Sequence, residues 1–393
     1  MDIQYGIENE DDFIIVDKID IIGLLVDRGL IHITDKILKN LGFASLINIR
    51  LVNHLYKDLV EESRVARAEV RNELSWLEKS PTVRLVSENP GHMITCMATD
   101  ETTIVYSLLG QDATLNIHNK TDLSLTGKLV QEPHFPASIS SMDCNSTMLV
   151  TCAYEEHTRA GMQYAVHLWM RKRKEMTAKF RPHSDIIRAV KLSDNKMVVT
   201  ASNDGTIAIT SIVDPWNPVL INRLLGHTDI ICSMDMEMHR VVSVSTNLEL
   251  RVWSLTKMSC SSVIAIKTPT LRVALKWPLA ASGGQSTVIL WNLLDQSCIR
   301  TLAGPVSGIL NVLSMDQEHL VMGDHRGRIA IWSISKIIEG HVGDHPHRLL
   351  YVSSKEQEGE DMTGQDLLSA LKVEKKRIIT GGWAGKCLSW EFS

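Results

Sequence analysis

The chain has no closely spaced cysteine pair. Cys96, Cys144, Cys152, Cys232, Cys260, Cys298 and Cys387 are odd in number and contain no C-x-x-C. That excludes zinc ribbons and dithiol redox motifs. Their scatter through apolar segments reads as small buried side chains in a reducing compartment. A basic stripe is also missing, and 41 Lys and Arg against 46 Asp and Glu leave a net charge of −5. A nucleic-acid-binding surface is therefore not expected. The short basic run Arg171 to Lys174 follows Trp169, where a hairpin turn belongs, and reads as a solvated loop, with a nuclear signal as the alternative. No apolar run spans a membrane, because Asp17, Lys18, Asp20 and Asp27 interrupt the stretch from Phe13 to Leu30. The acidic start (Asp2, Glu8, Glu10, Asp11, Asp12) is wrong for a secretory signal. These absences together predict a cytoplasmic or nuclear protein.

What is present is a phrase repeated seven times from residue 91 onward. Each copy is a short alternating apolar run, a tight polar turn and a second alternating run. The copies include MVVTASNDGTIAIT, RVVSVSTNLELRVW, LVMGDHRGRIAIW and RIITGGWAGKCLSW, and they end at His118, Trp169, Thr210, Trp253, Trp291, Trp332 and Trp390. The period is about 40 residues, with two longer intervals. Strand hairpins at that period predict a seven-bladed β-propeller of WD-repeat type over residues 81–393. The long intervals are expected to be outer loops, from Tyr154 to Gly161 and at roughly 335 to 365, the latter holding the polar run Lys355 to Asp361. Because the chain stops just after Trp390, the last blade lacks an outermost strand. The alternating segment Pro81 to Ser87 is expected to supply it and close the ring.

WD repeats pin their loops with a buried chain of His, Ser or Thr, turn Asp and Trp, which works only when every member is satisfied. Here it is eroded. Gly91-His92, Pro182-His183 and Gly226-His227 remain, and the turn Asp persists as Asp112 and Asp204 and becomes Asn247 once. No copy keeps His, Asp and Trp together. The fourth, with His227, Asn247 and Trp253, is expected to come nearest.

Ahead of the repeats, apolar residues at Leu30, Ile33, Ile37, Leu38, Leu41, Leu46, Leu51, Val52, Leu55, Tyr56 and Leu59 step by three and four. That spacing predicts short amphipathic helices, the first ended by Gly42. About 35 residues cannot bury a core alone, so this unit needs a partner or the propeller. The pattern resembles an F-box, although Asn53 and Tyr56 stand where that family usually has Cys and Trp. With Arg28-Gly29-Leu30, seven blades and the insert Pro215-Trp216-Asn217-Pro218, the chain resembles the β-transducin-repeat-containing branch of the F-box/WD-repeat proteins. The implied organisation is an acidic segment at 1–27, serving as an extra or dimerisation helix, then an F-box at 28–63. A helical linker follows at 64–80, and the all-β propeller completes the chain.

The resemblance implies a substrate-recognition subunit of a Skp–cullin–F-box ubiquitin ligase. Leu30, Ile33, Ile37, Leu38, Leu41, Leu46, Leu51, Val52 and Tyr56 would dock on the Skp adaptor, and the propeller would hold a protein substrate, with phosphorylation of that substrate left open. The alternatives are a helical cap packed on the propeller and a WD-repeat scaffold without ligase activity. No catalysis, cofactor or metal is expected. Asp324-His325 and the stretch from Gly340 to His347 are the only polar clusters, and the second lacks ligand spacing.

Partners of propellers usually meet the face where inner strands begin and the second-to-third-strand turns point. Arg188, Asn203, Arg272, His325, Arg326 and Trp383 are the candidates there. Arginines converging on an anion would give bidentate recognition. Counting back from Trp291, Trp332 and Trp390 places uncharged Thr270, Asn311 and Leu367 where that branch has arginines. A less basic pocket with Trp383 as an apolar anchor is therefore expected; packing of Trp383 within its blade is the alternative.

Overall fold

The computed structural model describes Trp76 and residues 80–109, 114–130, 138–157, 161–194, 196–285, 287–304, 310–340, 345–352, 367–374 and 376–392. The expectations for 1–27, 28–63 and most of 64–80 lie outside these residues. So do Leu30, Ile33, Ile37, Leu38, Leu41, Leu46, Leu51, Val52, Tyr56 and the run Lys355 to Asp361.

Among the described residues, twenty-eight strands, β1 (Thr82–Glu88) to β28 (Lys386–Glu391), form seven four-stranded antiparallel sheets. The first six blades run from β2 (Met93–Thr99) to β5 (Leu125–Val130), β6 (Ser138–Cys144) to β9 (Glu175–Phe180), β10 (Ile187–Ser193) to β13 (Val219–Leu224), β14 (Ile231–Glu237) to β17 (Ser259–Ala265), β18 (Thr270–Lys276) to β21 (Ser297–Ala303) and β22 (Leu310–Met315) to β25 (Arg348–Tyr351). The seventh has the order β1, β28, β27 (Arg377–Gly382), β26 (Leu368–Glu374), with Val83 opposite Trp390 and Leu85 opposite Leu388. The N-terminal segment thus supplies the outermost strand of the last blade, as the missing strand in the sequence predicted. Sheet pairing and closure leave a seven-bladed, nearly all-β propeller.

Middle strands such as β11 (Met197–Ser202, MVVTAS) and β15 (Arg240–Ser245, RVVSVS) are buried on both faces, because each blade is stacked between two others. That explains why their apolar runs are almost continuous rather than alternating. The core is divided accordingly into seven wedges, one at every interface between neighbouring blades. In the wedge between the sixth and seventh blades, Trp76 is fully buried and stacks between His319 (4.1 Å) and Phe392 (4.0 Å). Its carbonyl accepts a hydrogen bond from Arg348. The approach to β1 is thereby tied to the closing pair of blades.

Regular structure occupies the described part of one expected loop and portions of the other. β7 (Met148–His157) and β8 (Gly161–Met170) continue pairing out to His157 opposite Gly161, so Tyr154 to His157 are strand rather than loop. In the other interval a short helix, α1 (Ile334–Ile338), precedes β25 (Arg348–Tyr351), the outer strand of the sixth blade. The alternation signal was too short in both places to separate strand from loop.

The pinning networks differ from blade to blade. In the third, His183 Nδ1 meets Asp204 Oδ2 at 2.9 Å and His183 Nε2 meets Thr200 Oγ1 at 2.9 Å, with Thr210 in place of the Trp. Burial alone would raise the Asp204 carboxyl. Hydrogen bonds from His183 and Thr206 outweigh it and hold the group well below the usual carboxylate range. In the fourth, Trp253 Nε1 donates to Ser243 Oγ (2.9 Å), which also meets His227 Nε2 (2.7 Å). Asn247, expected to complete that chain, instead donates to Thr228 (3.0 Å). An amide accepts and donates locally, so it does not require a cationic or donating His as a carboxylate would. In the first blade the partners are exchanged: Tyr106 stands on the second strand and His118 at the Trp position, 3.2 Å apart. The Tyr106 hydroxyl then reaches Ser87 (2.6 Å), and His92 is exposed.

Candidate binding face and channel

Six of the seven inner strands contain a one-residue irregularity close to their start, and the remaining one a two-residue irregularity. A bulge leaves its extra residue unpaired and re-aims the side chain. The displaced residues are Thr95-Cys96, Ser140, Arg188, Cys232, Leu271, Asn311 and Ser369, and all but Asn311 line the mouth of a central cavity of about 540 Å³. Asn311 lies beside that mouth and holds Arg272 through its carbonyl.

Around this rim, side chains stitch one blade to the next. Cys96 donates to the Ile139 carbonyl (3.7 Å), Ser140 to that of Ile187 (2.7 Å), Asn311 to that of Leu368 (3.0 Å), and Ser369 to that of Ile94. Arg272 Nε donates to the Asn311 carbonyl at 2.6 Å. Two steps are absent from the belt among the described residues. Arg188 turns to Asn203 Oδ1 of its own blade (2.8 Å), and Cys232 reaches only the Ile230 carbonyl (3.9 Å). The rim is therefore unstitched from the third blade through the fifth, where both arginines stand.

Below the rim, Ser141 and Asp143 accept the amides of Val190 and Leu192, and Ser233 and Asp235 accept those of Val273 and Leu275. Lys191 pairs with Asp235. Lys372 faces Lys191, which, more than burial, lowers its ammonium below the ordinary range; Asp143 and Asp235 act in the opposite sense. Arg188, Lys191, Arg272 and Lys372 line the cavity against Asp235, in a chain of net charge −5. The interior is thus basic although the protein is acidic.

The candidates chosen from sequence divide into two groups. Arg188 and Arg272 share the cavity wall and flank Cys232. Burial raises that thiol, and the two guanidiniums oppose the rise. Burial and the neighbouring Arg188 also hold Arg272 below the ordinary arginine range. Asn203 joins them through its hydrogen bond to Arg188. His325, Arg326 and Trp383 occupy second-to-third-strand turns of the sixth and seventh blades and do not line the cavity. Trp383 is half-exposed and its amide donates to the Leu367 carbonyl (2.9 Å), the contact Asn203 makes with Ile186 in the third blade. Thr270, Asn311 and Leu367 do lie at the starts of β18 (Thr270–Lys276), β22 (Leu310–Met315) and β26 (Leu368–Glu374), each within one residue. Lys191, Asp235 and Lys372 were missed. Their spacing of three residues beyond the bulge is visible only once the bulges are located.

The polar clusters considered for chemistry have structural partners. Asp324 is fully buried and accepts from Arg328 Nε at 2.6 Å, and the Ser333 amide donates to His347 Nδ1 at 2.7 Å. Among the described residues no group of three metal-ligating side chains converges.

Residues 174–211, running from the outer strand of the second blade through β12 (Ile207–Ser211), match the family described as WD domain, G-beta repeat. Two relatives are more distant. Cilia- and flagella-associated protein 52 of Mus musculus is 24% identical over 158 residues, 38% of this chain and 25% of the relative. Mitochondrial division protein 1 of Candida glabrata is 23% identical over 198 residues, 47% of this chain and 26% of the relative. The chain spans about a quarter of the length of the curated relatives it matches. The match over this one repeat and the sheet topology agree on a β-propeller.

Proposed function

We propose that this protein is a non-catalytic interaction scaffold that holds a protein partner over the channel mouth, on the sector of Arg188, Cys232 and Arg272. One observation carries the reading: the inter-blade belt is interrupted where two guanidiniums stand without a carboxylate partner among the described residues. Elsewhere on the rim the polar groups are spent on holding blades together. Here Arg188, bonded only within its own blade, is available to a partner, with half-exposed Trp383 as an apolar contact farther round the same face. Affinity capture with the intact protein, Arg188→Ala and Trp383→Ala tests this. Partners lost from both variants support the face, and unchanged capture by both refutes it.

The finer reading is that residues 28–63 act as an F-box, so that the scaffold is the substrate-recognition subunit of a Skp–cullin–F-box ubiquitin ligase. It rests on the sequence pattern alone. Its mechanism is tethering: a bound substrate gains a high effective concentration near a conjugating enzyme, with no new bond made by this chain. Such a protein works in the cytoplasm or nucleus. Co-expression of the full chain with the Skp adaptor, followed by size exclusion, decides it. A stoichiometric complex lost in Leu38→Lys or Leu41→Lys supports the ligase receptor. A folded propeller that forms no complex leaves the scaffold.

A further inference from the structure

We propose that Lys372, in the wall of the central channel, is a site of reversible carbamylation by carbon dioxide. Lys372 holds the same place in its blade as Lys191 and Asp235, three residues past the bulge of an inner strand. It lines the cavity and lies within electrostatic reach of Asp143, Lys191 and Asp235. Those three belong to the second, third and fourth blades, two or three steps round the ring from the seventh. Only a side chain directed into the channel reaches them all. Lys191 pairs with Asp235, and Asp143 and Asp235 each accept a backbone amide of the following blade. Lys372 makes no hydrogen bond or ion pair among the described residues, so its amine is left to the cavity.

Charge balance selects the chemistry. Arg188, Lys191, Arg272 and a protonated Lys372 line the cavity against Asp235, with Asp143 beside them, an excess of two positive charges. Burial of uncompensated charge is unfavourable, and the proton on the unpaired amine is the one most easily lost. Repulsion by Lys191, and after it burial, accordingly hold that ammonium below the ordinary lysine range, against the pull of Asp143, Asp235 and Cys144. The neutral amine is a nucleophile. Its lone pair forms a bond to the carbon of carbon dioxide as one C=O π pair moves onto oxygen. The nitrogen then releases a proton to water at the channel mouth. The carbamate carries one negative charge, so three cations face three anions and the cavity is neutral. An aldehyde at the same nitrogen would give a neutral or cationic imine, which does not close the balance. The neighbouring thiols do not compete, because burial pushes Cys96 up to about 11 and Cys144 up to about 12 and keeps both protonated. Carbon dioxide is small beside a cavity of about 540 Å³. The charge of the channel thus follows the carbon dioxide concentration.

The test is chemical trapping in the full chain. The protein is equilibrated with isotopically labelled carbon dioxide, treated with triethyloxonium ion to fix any carbamate as its ethyl ester, and mapped by peptide mass spectrometry. Label is expected on Lys372 at about 10-fold or more its level on the exposed Lys196 and Lys376. It should vanish in carbon-dioxide-free buffer. Lys372→Arg should abolish it while sparing the trace on other lysines, because a guanidinium stays protonated and forms no carbamate. The parent protein gives the decisive reading, so the outcome does not depend on how a variant folds. No label on Lys372, a level equal to that on Lys196 and Lys376, or a signal that survives without carbon dioxide overturns the site. Partner capture does not enter the measurement, so failure here leaves the scaffold standing, and failure of the scaffold leaves this site standing.

Discussion

Replacing Trp291 and Trp332 in turn by phenylalanine separates the apolar and polar contributions of the repeating tryptophan. The two occupy equivalent places in β20 (Thr287–Asn292) and β24 (Arg328–Ser333) and are buried to 6% and 0% exposure, so the loss of apolar area is nearly the same. It costs roughly 1 kcal/mol in either case. Their indole N–H groups are not equivalent. Trp291 Nε1 donates to Ser282 Oγ at 2.8 Å, whereas Trp332 Nε1 is buried with no acceptor among the described residues, because Met322 stands where the hydroxyl belongs. Trp291→Phe strands the Ser282 hydroxyl and costs a further 1–3 kcal/mol or so. Trp332→Phe deletes a donor already unsatisfied and recovers about 1–3 kcal/mol. The variants should differ by at least about 2 kcal/mol, or roughly 4 °C in Tm for a domain of this size. Thermal unfolding followed by circular dichroism reads the difference, with several scan rates to exclude a purely kinetic effect. Equal melting temperatures for the two variants would refute the assignment of the indole bond as a stabilising element.

Two other predictions concern the closure and the third blade. Trp76→Ala should cost about 3–5 kcal/mol, since it empties a fully enclosed stack between His319 and Phe392. Trp216→Ala, at a 51% exposed tryptophan, should stay within about 0.5 kcal/mol on the same denaturation curve. For Asp204 the folded-state carboxyl lies below its unfolded value, so its stabilisation is present above about pH 4 and is lost as pH falls. Asp204→Asn should therefore be less stable than the parent at pH 7, and the gap should begin to narrow below about pH 4 and keep narrowing as pH falls further. A gap that is constant with pH would show that the charge of Asp204 is irrelevant to the network.

The blade count and the closing strand were legible because both depend on strand alternation, which the sequence writes directly. Val83, Leu85 and the alternating β1 had no other partner once Trp390 ended the last repeat. The networks were only half legible. His183 with Asp204 could be read from spacing, but Tyr106 with His118 could not, because a larger residue on one strand compensates a smaller one on the next. The site was least legible. Arg188 and Arg272 stood out as charges near strand starts, yet whether each bonds across the blade interface or within its own blade depends on bulge geometry. Asp143, Lys191, Asp235 and Lys372 sit three residues past their bulges and look, in sequence, like ordinary polar strand positions.

Ring closure and partner binding draw on the same rim side chains, and that is why the break in the belt matters. A propeller has no covalent closure beyond its chain, so each polar rim residue that crosses to the next blade contributes to holding the ring. Arg272 still crosses, through Asn311, while its neighbour Arg188 does not. Removing the Arg188 side chain should consequently leave stability almost unchanged, since an exposed charge bonded only within its blade contributes little. Removing Arg272 should weaken the fifth-to-sixth-blade contact as well as any ligand contact. The two arginines thus form an asymmetric pair, one free for recognition and one shared with the fold. If Arg188→Gln proved as destabilising as Arg272→Gln in the same unfolding assay, the belt would extend through the third blade. The unstitched sector would then shrink to the single step at Cys232.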